Sequence, residues 1–474
     1  MLADYLREKY EKYLGHDPTA GQERLFDRFL AMTDRRDGAQ VLLVKGYAGT
    51  GKTTAVRAMV RILEERGIPV VLLAPTGRAA KVLSEYTGRE AFTIHKWIYR
   101  QRSSKDGFGR FELGFNKMKE AFFFVDEASM ISNRLSEGAV FGSGRLLDDL
   151  FDFVFQGERC RLVFIGDTAQ LPPVGTALSE ALDPKVLRGY GHTVEEIVLD
   201  EVVRQARHSG ILVNATRLRQ HIAGGTFSLP LFITEGYRDI VRLSRGWEFG
   251  ELLEEHFQGY DPEAVTLIVR SNKQANQYNQ EIRRRILYRE EELTRGDLLM
   301  VVRNNYFWLQ EEGSFLANGD ILRVERVEAY EELYGRRFAR AELSYPLGGS
   351  RTSLSTLLLL DTLTADGPSL TAAENKELFY RILNELPGGE GRKKNFKIVR
   401  QDEYFNALQV KFAYAVTCHK AQGGQWQTVF VDQGFVPQEQ QGIEHLRWLY
   451  TAVTRATQRL YLTGFPDNYF GKGE

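Results

Sequence analysis

The nine residues GYAGTGKTT, at positions 46–54, constrain the fold of this chain more than any other stretch. They follow the apolar run 41–44 and lead into the segment 52–66, whose apolar residues have helical spacing. Glycines in such a turn let backbone N–H groups face phosphate oxygens, and the start of the following helix favours negative charge. A strand, a glycine-rich turn and a helix in this order predict a phosphate-binding loop in an α/β fold.

The loop matches the pattern G-x-x-x-x-G-K-[ST], so it offers candidates for contacts with the phosphates of a nucleotide. We expect Lys52 to reach the β- and γ-phosphates and the Thr53 hydroxyl to bind Mg²⁺. A chance match in a glycine-rich turn is the alternative, which the flanking strand and helix disfavour. The predicted nucleotide-binding residues of the loop are Gly46, Ala48, Gly49, Thr50, Gly51, Lys52, Thr53 and Thr54.

Two acidic residues in FFFVDEASM, at positions 122–130, supply the partners that such a loop needs. Asp126 follows an apolar run and is placed to hold Mg²⁺, and Glu127 is placed to polarise the attacking water. A solvated acidic turn is the alternative. Gln170, in VFIGDTAQLPPVG, is a candidate sensor of the γ-phosphate, although a proline-rich turn explains this stretch equally well. Together these stretches predict a P-loop NTPase.

Apolar runs that alternate with helical segments occur in two parts of the chain. Its 474 residues also exceed the limit for one core, which is roughly 250–300 residues. Runs of this kind are typical of strands buried on both faces of a parallel sheet. We therefore predict an α/β protein with one lobe in residues 1–205 and a second in residues 206–324 and 408–474. Residues 325–407 break the pattern and are predicted to form an inserted subdomain.

Composition and charge limit the partners and the location of the chain. The net charge of −1 argues against a protein that coats duplex DNA non-specifically, but a local groove for a single strand remains compatible with it. No apolar run reaches the roughly 20 residues of a membrane span, and the N-terminus lacks the apolar core of a signal peptide. The two cysteines, Cys160 and Cys418, form no disulfide framework. We expect a cytoplasmic protein that does not bind membranes.

Further motifs follow one another in a fixed order. They are TAGQERLF, APTGRAAKVL, TIHKW, VVRQA, TCHKAQGGQW and LYTAVTRAT, together with the phosphate loop, DEASM and GDTAQLPPVG. This set, which spans residues 19–457, resembles the superfamily 1 group B DNA helicases of the RecD, Dda and petite-integration-frequency (PIF) type. The resemblance implies two RecA-like lobes, ATP as the fuel, and 5′ to 3′ movement along single-stranded DNA. It also implies a small Src-homology-3-like β-barrel within residues 325–407.

The resemblance assigns roles to residues that would otherwise be ordinary. It implies that Gln22 recognises adenine and that Arg204 and Arg455 approach the γ-phosphate, where guanidinium groups neutralise charge as the cleft between the lobes closes. Without it, each arginine would be an ordinary surface or ion-pair residue. The DNA-binding residues that it implies are Thr417, His419 and Lys420 in the second lobe, and Pro75, Thr76, Gly77 and His95 in the first.

For two residues of these motifs, simpler explanations than DNA binding stay open. His95 could be a core histidine with satisfied hydrogen bonds, and Cys418 could serve only in packing.

Small hydroxyls and an ammonium group contact phosphate without reading bases, which suits a motor that passes any sequence. We expect the protein to act as a monomer on single-stranded DNA and on single-strand to double-strand junctions.

A β-hairpin is predicted within residues 99–120, because Asp106-Gly107 is a good two-residue turn. Phe108 follows this turn, so its ring would lie at or beside the tip of the hairpin. We predict that Phe108 separates the strands of incoming duplex DNA, with Phe111 as the next candidate. A ring that folds back onto the lobe is the alternative.

Other functions are also compatible with the motifs. One alternative is a RecD-like subunit of a larger recombination or repair complex that binds DNA and partner proteins without unwinding. Another is a translocase that strips proteins from DNA or acts on RNA.

Overall fold

The computed structural model of the chain describes residues 2–34, 39–102, 110–135, 141–203, 208–309, 315–347, 350–386 and 392–471. Within these ranges, the strands form two parallel sheets, a closed barrel and a two-stranded hairpin. The prediction of an α/β protein with two lobes and a barrel insertion is confirmed.

The first lobe alternates strands with helices. Its strands are β1 (Val41–Gly46), β2 (Val70–Ala74), β3 (Phe92–Thr93), β4 (Tyr99–Arg102), β5 (Arg110–Leu113), β6 (Phe122–Val125), β7 (Arg161–Gly166) and β8 (Val194–Leu199). Its helices are α1 (Leu2–Leu14), α2 (Ala20–Asp34), α3 (Lys52–Glu65), α4 (Gly77–Thr87), α5 (Ile94–Ile98), α6 (Leu146–Gln156) and α7 (Pro184–Arg188). The main sheet is parallel, in the order β3-β2-β6-β7-β1-β8.

This sheet is buried on both faces. Along β1, Leu42 and Val44 pack in one apolar core, and Val41 and Leu43 pack in the other. The strand is therefore apolar at every one of these positions, because successive side chains enter opposite cores. All the strands are parallel, so the carboxyl ends of β1, β6 and β7 lie at one edge of the sheet. The phosphate loop, DEASM and GDTAQLPPVG follow these three ends.

The second lobe contains another parallel sheet and the barrel. Its strands are β9 (Ile240–Arg242), β10 (Val265–Val269), β11 (Leu298–Val301), β12 (Ile321–Leu333), β13 (Arg336–Leu347), β14 (Ser350–Leu359), β15 (Leu408–Phe412), β16 (Ala415–Thr417), β17 (Trp426–Asp432) and β18 (Ala456–Thr463). Its helices are α8 (Gly210–Gly224), α9 (Gly246–Gly259), α10 (Asn272–Glu281), a π-helical segment (Ile282–Ile286), α11 (Asp361–Thr364), α12 (Ala372–Glu385), α13 (Arg392–Arg400), α14 (Cys418–Ala421) and α15 (Ile443–Val453). Short 3₁₀ helices occur in the first lobe at Ala128–Met130 and Glu180–Leu182, and in the second lobe at Pro262–Ala264, Gln438–Gln440 and Asp467–Tyr469. The parallel sheet has the order β16-β10-β17-β18-β9.

The barrel closes through β11, β12, β13, β14 and β15. It extends beyond the predicted segment 325–407 at both ends, because β11 and β15 pair with each other and complete the ring. Only the pairing of β14 with β15 is parallel. The inward residues Val324, Ala341 and Val410 join the core of the second lobe, so the barrel and that lobe pack as one unit.

Two helices inserted between β14 and β15 cover the outside of the barrel. Phe338 and Leu359 of the barrel pack against Leu378 of α12 and Val399 of α13. A capping box at Thr371 starts α12, and this device satisfies backbone N–H groups that a helix start leaves free. The glycine-rich and basic stretch of the sequence therefore leads into a helix, α13, which is packed on the barrel.

The predicted hairpin is confirmed as the antiparallel pair β4 and β5. Phe108 lies outside the described residues. Phe111 is in β5, where its ring stacks on Phe141 at 4.6 Å between centroids and lies 5.0 Å from Tyr306 of the second lobe. The base of the hairpin is thus held between the two lobes by aromatic packing.

Candidate functional site

The phosphate loop has the backbone conformation that its glycines permit. Gly49 and Gly51 both have φ of 76°, which is a left-handed conformation that other residues rarely adopt. A Cβ atom on Gly51 would lie 2.4 Å from Gln22 Nε2, so a larger residue there would displace the Gln22 amide. Lys52 Nζ donates to the Tyr47 carbonyl oxygen at 2.8 Å. Lys52 begins α3, and the Thr53 side chain next to it is exposed.

Gln22, which α2 carries, reaches the phosphate loop. It is fully buried, and its Nε2 donates to the Thr50 carbonyl oxygen at 3.4 Å. Its Oε1 accepts the backbone N–H of Thr19 at 3.0 Å. Both ends of the amide are therefore held beside the loop. Recognition of adenine by this residue stays a prediction.

The acidic pair lies at the same edge of the sheet. Asp126 accepts hydrogen bonds from the Tyr86 hydroxyl at 2.6 Å and from the Glu127 backbone N–H at 2.9 Å. Burial raises the pKa of Asp126 to about 6; the neighbouring Glu127 adds to this shift and Lys52 opposes it. A cation beside this carboxylate would favour its charged form. The buried carboxylate and the exposed Thr53 hydroxyl fit the donor set of an Mg²⁺ site.

Glu127 has an unusual backbone conformation. Its φ of 51° and ψ of 38° lie in the left-handed region, which costs a residue with a side chain roughly 1–3 kcal/mol. Ser129 Oγ donates to Glu127 Oε2 at 3.5 Å. Strained residues persist where the surrounding structure holds them, and such positions cluster at functional sites.

Tyr450 and Asp167 connect the phosphate loop to the second lobe, and sequence reasoning assigned neither a role. The Tyr450 hydroxyl, on α15, accepts the backbone N–H of Ala48 at 2.8 Å and donates to Asp167 Oδ2 at 2.6 Å. Burial raises the pKa of Asp167, while Lys52 and the bond from Tyr450 oppose the shift. Both residues lie within recognised motifs, LYTAVTRAT and GDTAQLPPVG, and this was the only signal for them in the sequence.

The segment after β7 also contacts the second lobe. Leu171 N donates to Thr451 Oγ1 at 2.8 Å, and Gln422 Nε2 donates to the Leu171 carbonyl oxygen at 2.7 Å. Gln170 beside it is buried, and its Oε1 has no hydrogen-bond partner among the described residues. A buried acceptor or donor without a partner is uncommon. Gln170 therefore places an amide oxygen without a partner at the joint between the lobes.

Arg455 lies in the second lobe, and the hydrogen bonds described for its guanidinium group are to residues of that lobe. Its Nε donates to the Thr451 carbonyl oxygen at 3.0 Å, Nη1 to the Gly424 carbonyl oxygen at 3.2 Å, and Nη2 to Thr454 Oγ1 at 3.1 Å. These bonds use three of the five guanidinium N–H groups and fix the side chain inside the second lobe. Arg204 lies outside the described residues.

The stretch TCHKAQGGQW follows β16 and forms the short helix α14. Lys420 Nζ donates to Asn318 Oδ1, in the barrel, at 2.7 Å. Burial lowers the pKa values of both His419 and Lys420. Thr417 precedes the helix and its side chain makes no capping bond. Cys418 is fully buried, and its Sγ donates to the Trp448 carbonyl oxygen at 3.5 Å, which agrees with a packing role.

The first-lobe residues of the predicted DNA site meet this stretch at the start of α4. A Cβ atom on Gly423 would lie 2.9 Å from Ala79 Cβ and 3.5 Å from Thr76 Oγ1. The Thr76 hydroxyl caps α4 by accepting the backbone N–H of Ala79 at 3.2 Å. Pro75 and Gly77 flank it, and Gly77 faces Ala317 and Asp320 of the barrel. The structure thus brings the two halves of the predicted site side by side.

His95 is the exception among these residues. Its ring lies 5.0 Å from Phe141 and 5.7 Å from Tyr99, in the aromatic cluster at the hairpin base. Burial lowers the pKa of His95 to about 4, so the imidazole is neutral at pH 7. These contacts favour the alternative of a core histidine and leave no positive charge there for phosphate.

Arg78 joins the two lobes, although sequence reasoning did not single it out. Its guanidinium carbon lies 3.7 Å from the centroid of the Trp426 ring, a cation–π contact. A Cβ atom on Gly424 would lie 2.3 Å from Arg78 Nε, so a larger residue there would displace the Arg78 side chain. Burial lowers the pKa of Arg78 to about 10. The arginine therefore packs across the joint between α4 and the GGQW residues.

No helix in the described ranges is long and apolar enough to span a membrane.

Comparison with known protein families gives one match near each end of the chain. Residues 18–227 match the family described as an AAA domain, and residues 412–463 match the UvrD-like helicase C-terminal domain. The ATP-dependent RecD2 DNA helicase of Deinococcus radiodurans is 26% identical over 454 residues, which cover 94% of this chain and 50% of the relative. The chain thus spans about half the length of this relative.

Two further proteins are similar to parts or all of the chain. The ATP-dependent DNA helicase Dda of Enterobacteria phage T4 is 36% identical over 80 residues, 17% of this chain and 18% of the relative. A crystal structure of the Pif1 helicase from Bacteroides with ADP-AlF3 and single-stranded DNA has 15% identity and a TM-score of 0.49, and covers 96% of this chain and 94% of that one.

The fold and the site define the class. A phosphate loop at the joint between two parallel α/β lobes, with an acidic pair after the neighbouring strand, is the arrangement of a two-lobed P-loop NTPase. The two domain matches and the RecD2 and Dda relatives are more specific. In sequence the chain is similar to DNA helicases of the RecD, Dda and PIF type.

Proposed function

We propose that the chain is an ATP- and Mg²⁺-dependent DNA helicase that moves 5′ to 3′ along single-stranded DNA as a monomer. The observation that carries this proposal is the bond between the Ala48 N–H and the Tyr450 hydroxyl, 402 positions apart. A nucleotide bound by the phosphate loop would lie against residues of both lobes. Binding and hydrolysis would then change how the lobes fit together.

The phosphate loop and the acidic pair would hold the nucleotide. Lys52 would bind the β- and γ-phosphates, and Gln22 would contact the adenine. Thr53 and Asp126 would hold Mg²⁺, which neutralises phosphate charge when it is bound. The buried carboxylate of Asp126, with its pKa raised to about 6, supports this role because a cation restores its charged form.

Hydrolysis would need groups from both lobes. Glu127 would take the proton of the attacking water, and Gln170 would donate its side-chain amide N–H to the γ-phosphate. Arg455, with Arg204, would neutralise charge on the transferring phosphoryl group. Because Arg455 is hydrogen-bonded inside the second lobe, its arrival depends on how that lobe moves.

Single-stranded DNA would lie across α4 and α14. Thr76, Gly77 and Pro75 border one side of this surface, and Thr417, His419 and Lys420 border the other. Lys420 is the ammonium group of the set, and its contact with Asn318 extends the surface to the barrel. Contacts of this kind hold the phosphate backbone and not the bases. His95, half-buried against the rings of Phe141 and Tyr99, would support this surface through packing.

The double variant His419→Ala and Lys420→Ala should weaken binding of single-stranded DNA and lower DNA-stimulated ATPase, with basal ATPase mostly kept. Loss of one charged phosphate contact should reduce the slope of log K against log salt by about 0.7. Fluorescence anisotropy over a salt series measures both quantities. Lys185→Ala, an exposed lysine in α7 of the first lobe, is the charge control and should change neither. Unchanged affinity and slope in the double variant would show that the TCHKAQGGQW stretch has only a structural role.

Phe108→Ala should lower unwinding severalfold while single-stranded DNA binding and DNA-stimulated ATPase stay close to normal. A ring at the hairpin tip can cover the terminal base pair and offset part of a stacking loss of about 1.4 kcal/mol per step. Phe115→Ala, an exposed phenylalanine just after the hairpin, is the matched control. Equal losses of ATPase and unwinding for Phe108→Ala would show that the ring only supports the fold.

Strand displacement on partial duplexes with a 5′ or a 3′ single-stranded tail tests the proposed function. Unwinding that needs ATP and the 5′ tail is the expected result. A chain that hydrolyses ATP on DNA but displaces no strand would instead fit a non-unwinding RecD-like subunit or a translocase that strips proteins. Stimulation of ATP hydrolysis by RNA but not by DNA would show that the protein acts on RNA.

A further inference from the structure

Arg78 is a charged residue at the joint between the lobes to which the proposed function gives no role. It follows Thr76 and Gly77 of the predicted DNA surface, in the first turn of α4. Its guanidinium group lies on the Trp426 ring, 3.7 Å from the centroid, and its buried Nη1 has no hydrogen-bond partner among the described residues. Burying a positive charge is costly, and an apolar side chain would fill this joint without that cost. The charge of Arg78 is therefore not explained by packing alone.

The residues that Arg78 contacts also hold Arg455. Arg455 Nη1 donates to the Gly424 carbonyl oxygen at 3.2 Å, and the Trp426 backbone N–H donates to the Arg455 carbonyl oxygen at 3.0 Å. Gly424 lies so close to Arg78 that a Cβ atom on the glycine would be 2.8 Å from the guanidinium carbon. Both the side chain and the backbone of Arg455 are thus bound to the GGQW residues on which Arg78 rests.

The two guanidinium groups also act on each other through their charges. Burial lowers the pKa of Arg78, the positive charge of Arg455 lowers it further, and the Asp320 carboxylate opposes the shift. Like charges in a poorly solvated joint disfavour each other, whereas an anion nearby favours both. A DNA phosphate at the start of α4 would therefore stabilise the arrangement in which both arginines are charged and in place.

We propose that Arg78 is a positioning residue for ATP hydrolysis, which holds the GGQW residues, and through them Arg455, when single-stranded DNA lies on α4. This inference rests on the proposed DNA-dependent hydrolysis of ATP and adds the residue that couples the DNA surface to it. Phosphates of the strand would offset the repulsion between the two arginines, so that Arg78 stays on Trp426 and Arg455 keeps its place. Without DNA, the repulsion would leave Arg455 less firmly held, and hydrolysis would be slower.

Phosphate release by the full chain, over titrations of ATP and of single-stranded DNA, tests the proposal. In Arg78→Met an apolar side chain still fills the joint, but the charge is gone. The factor by which saturating DNA raises kcat should fall roughly tenfold. KM for ATP should stay within about twofold, and affinity for single-stranded DNA within about threefold, because the loss lies in coupling and not in binding.

Arg78→Lys separates the role of the charge from the role of packing. It keeps the positive charge, although it loses the planar group that lies on Trp426, so it should recover part of the stimulation. Normal stimulation in Arg78→Met would show that the side chain only fills the joint and would overturn the proposal. An Arg78→Lys variant that is stimulated no more than Arg78→Met would also overturn it.

A double-mutant cycle tests whether Arg78 acts through Arg455. Single-turnover hydrolysis of preformed complexes with ATP and DNA is compared for Arg78→Met, for Arg455→Lys and for the two changes together. Because one residue is proposed to position the other, the combined variant should be at most about twofold slower than Arg455→Lys alone. Losses that multiply would instead show two independent effects and overturn the proposal.

Arg245→Met is the matched control, because the Arg245 guanidinium carbon lies 5.9 Å from the centroid of the Trp247 ring within the second lobe. This control should keep the full stimulation by DNA, and an equal loss in it would overturn the proposal. A loss of DNA affinity in Arg78→Met with an unchanged kcat at saturating DNA would also overturn it, because Arg78 would then be only a DNA contact. None of these measurements needs unwinding. A chain that displaces no strand, but whose stimulation by DNA is lost in Arg78→Met, would contradict the helicase proposal alone.

Discussion

Glu127→Gln is expected to bind ATP with near-normal affinity and to lose DNA-stimulated hydrolysis by roughly 10²-fold or more. Glutamine has the size and shape of glutamate but cannot accept the proton of the attacking water. The left-handed φ of 51° at this position should be kept, since the two residues have similar backbone preferences. A fluorescent ATP analogue measures binding, and phosphate release with saturating single-stranded DNA measures turnover.

Lys52→Ala is the comparison that separates binding from chemistry. Lys52 would contact the phosphates directly, so its loss should weaken nucleotide binding itself. A Glu127→Gln variant with the same loss of affinity would place Glu127 in nucleotide binding and not in water activation. Near-normal DNA-stimulated ATPase in Glu127→Gln would falsify its assignment as the water-activating residue.

Arg455→Ala should leave nucleotide affinity within a few-fold and reduce hydrolysis by roughly 10³-fold or more, as is typical of an arginine finger. The guanidinium group is bound to carbonyl oxygens of Thr451 and Gly424 in the second lobe, so we expect it to reach the phosphate when the lobes close. Single-turnover hydrolysis with preformed protein–ATP–DNA complexes measures the chemical step. A fall of less than about tenfold would make Arg455 structural and give the role to another residue.

The position of Arg455 requires a control for folding. The residue is buried, and its bonds join α15 to the GGQW stretch, so truncation could loosen the second lobe. Arg455→Lys keeps the positive charge but loses the planar fork of donors. Normal single-stranded DNA binding in both variants, with hydrolysis lost in both, would place the defect in the chemical step. Loss of DNA binding in Arg455→Ala would indicate a structural defect.

The sequence alone was sufficient to predict features that depend on residues close together in the chain. The phosphate loop and its place between β1 and α3 follow from GYAGTGKTT and its flanks, because glycine positions and a helix start act over a few residues. Asp126 after β6 follows from the apolar run before it. Strands buried on both faces are recognisable as continuous apolar runs. Two lobes were predictable for the same reason.

Tertiary structure decided the contacts that join distant parts of the chain. The Tyr450 hydroxyl meets Ala48 only because α15 packs beside the first lobe, and Arg78 lies on Trp426 only because α4 faces the second. The barrel takes β11 and β15 from outside the predicted segment, since closure depends on which strand edges meet. His95 lies against aromatic rings because it packs on Phe141, a residue outside its own motif. Local patterns specify turns, caps and buried strands, whereas the partners of a side chain across a joint depend on how whole elements pack.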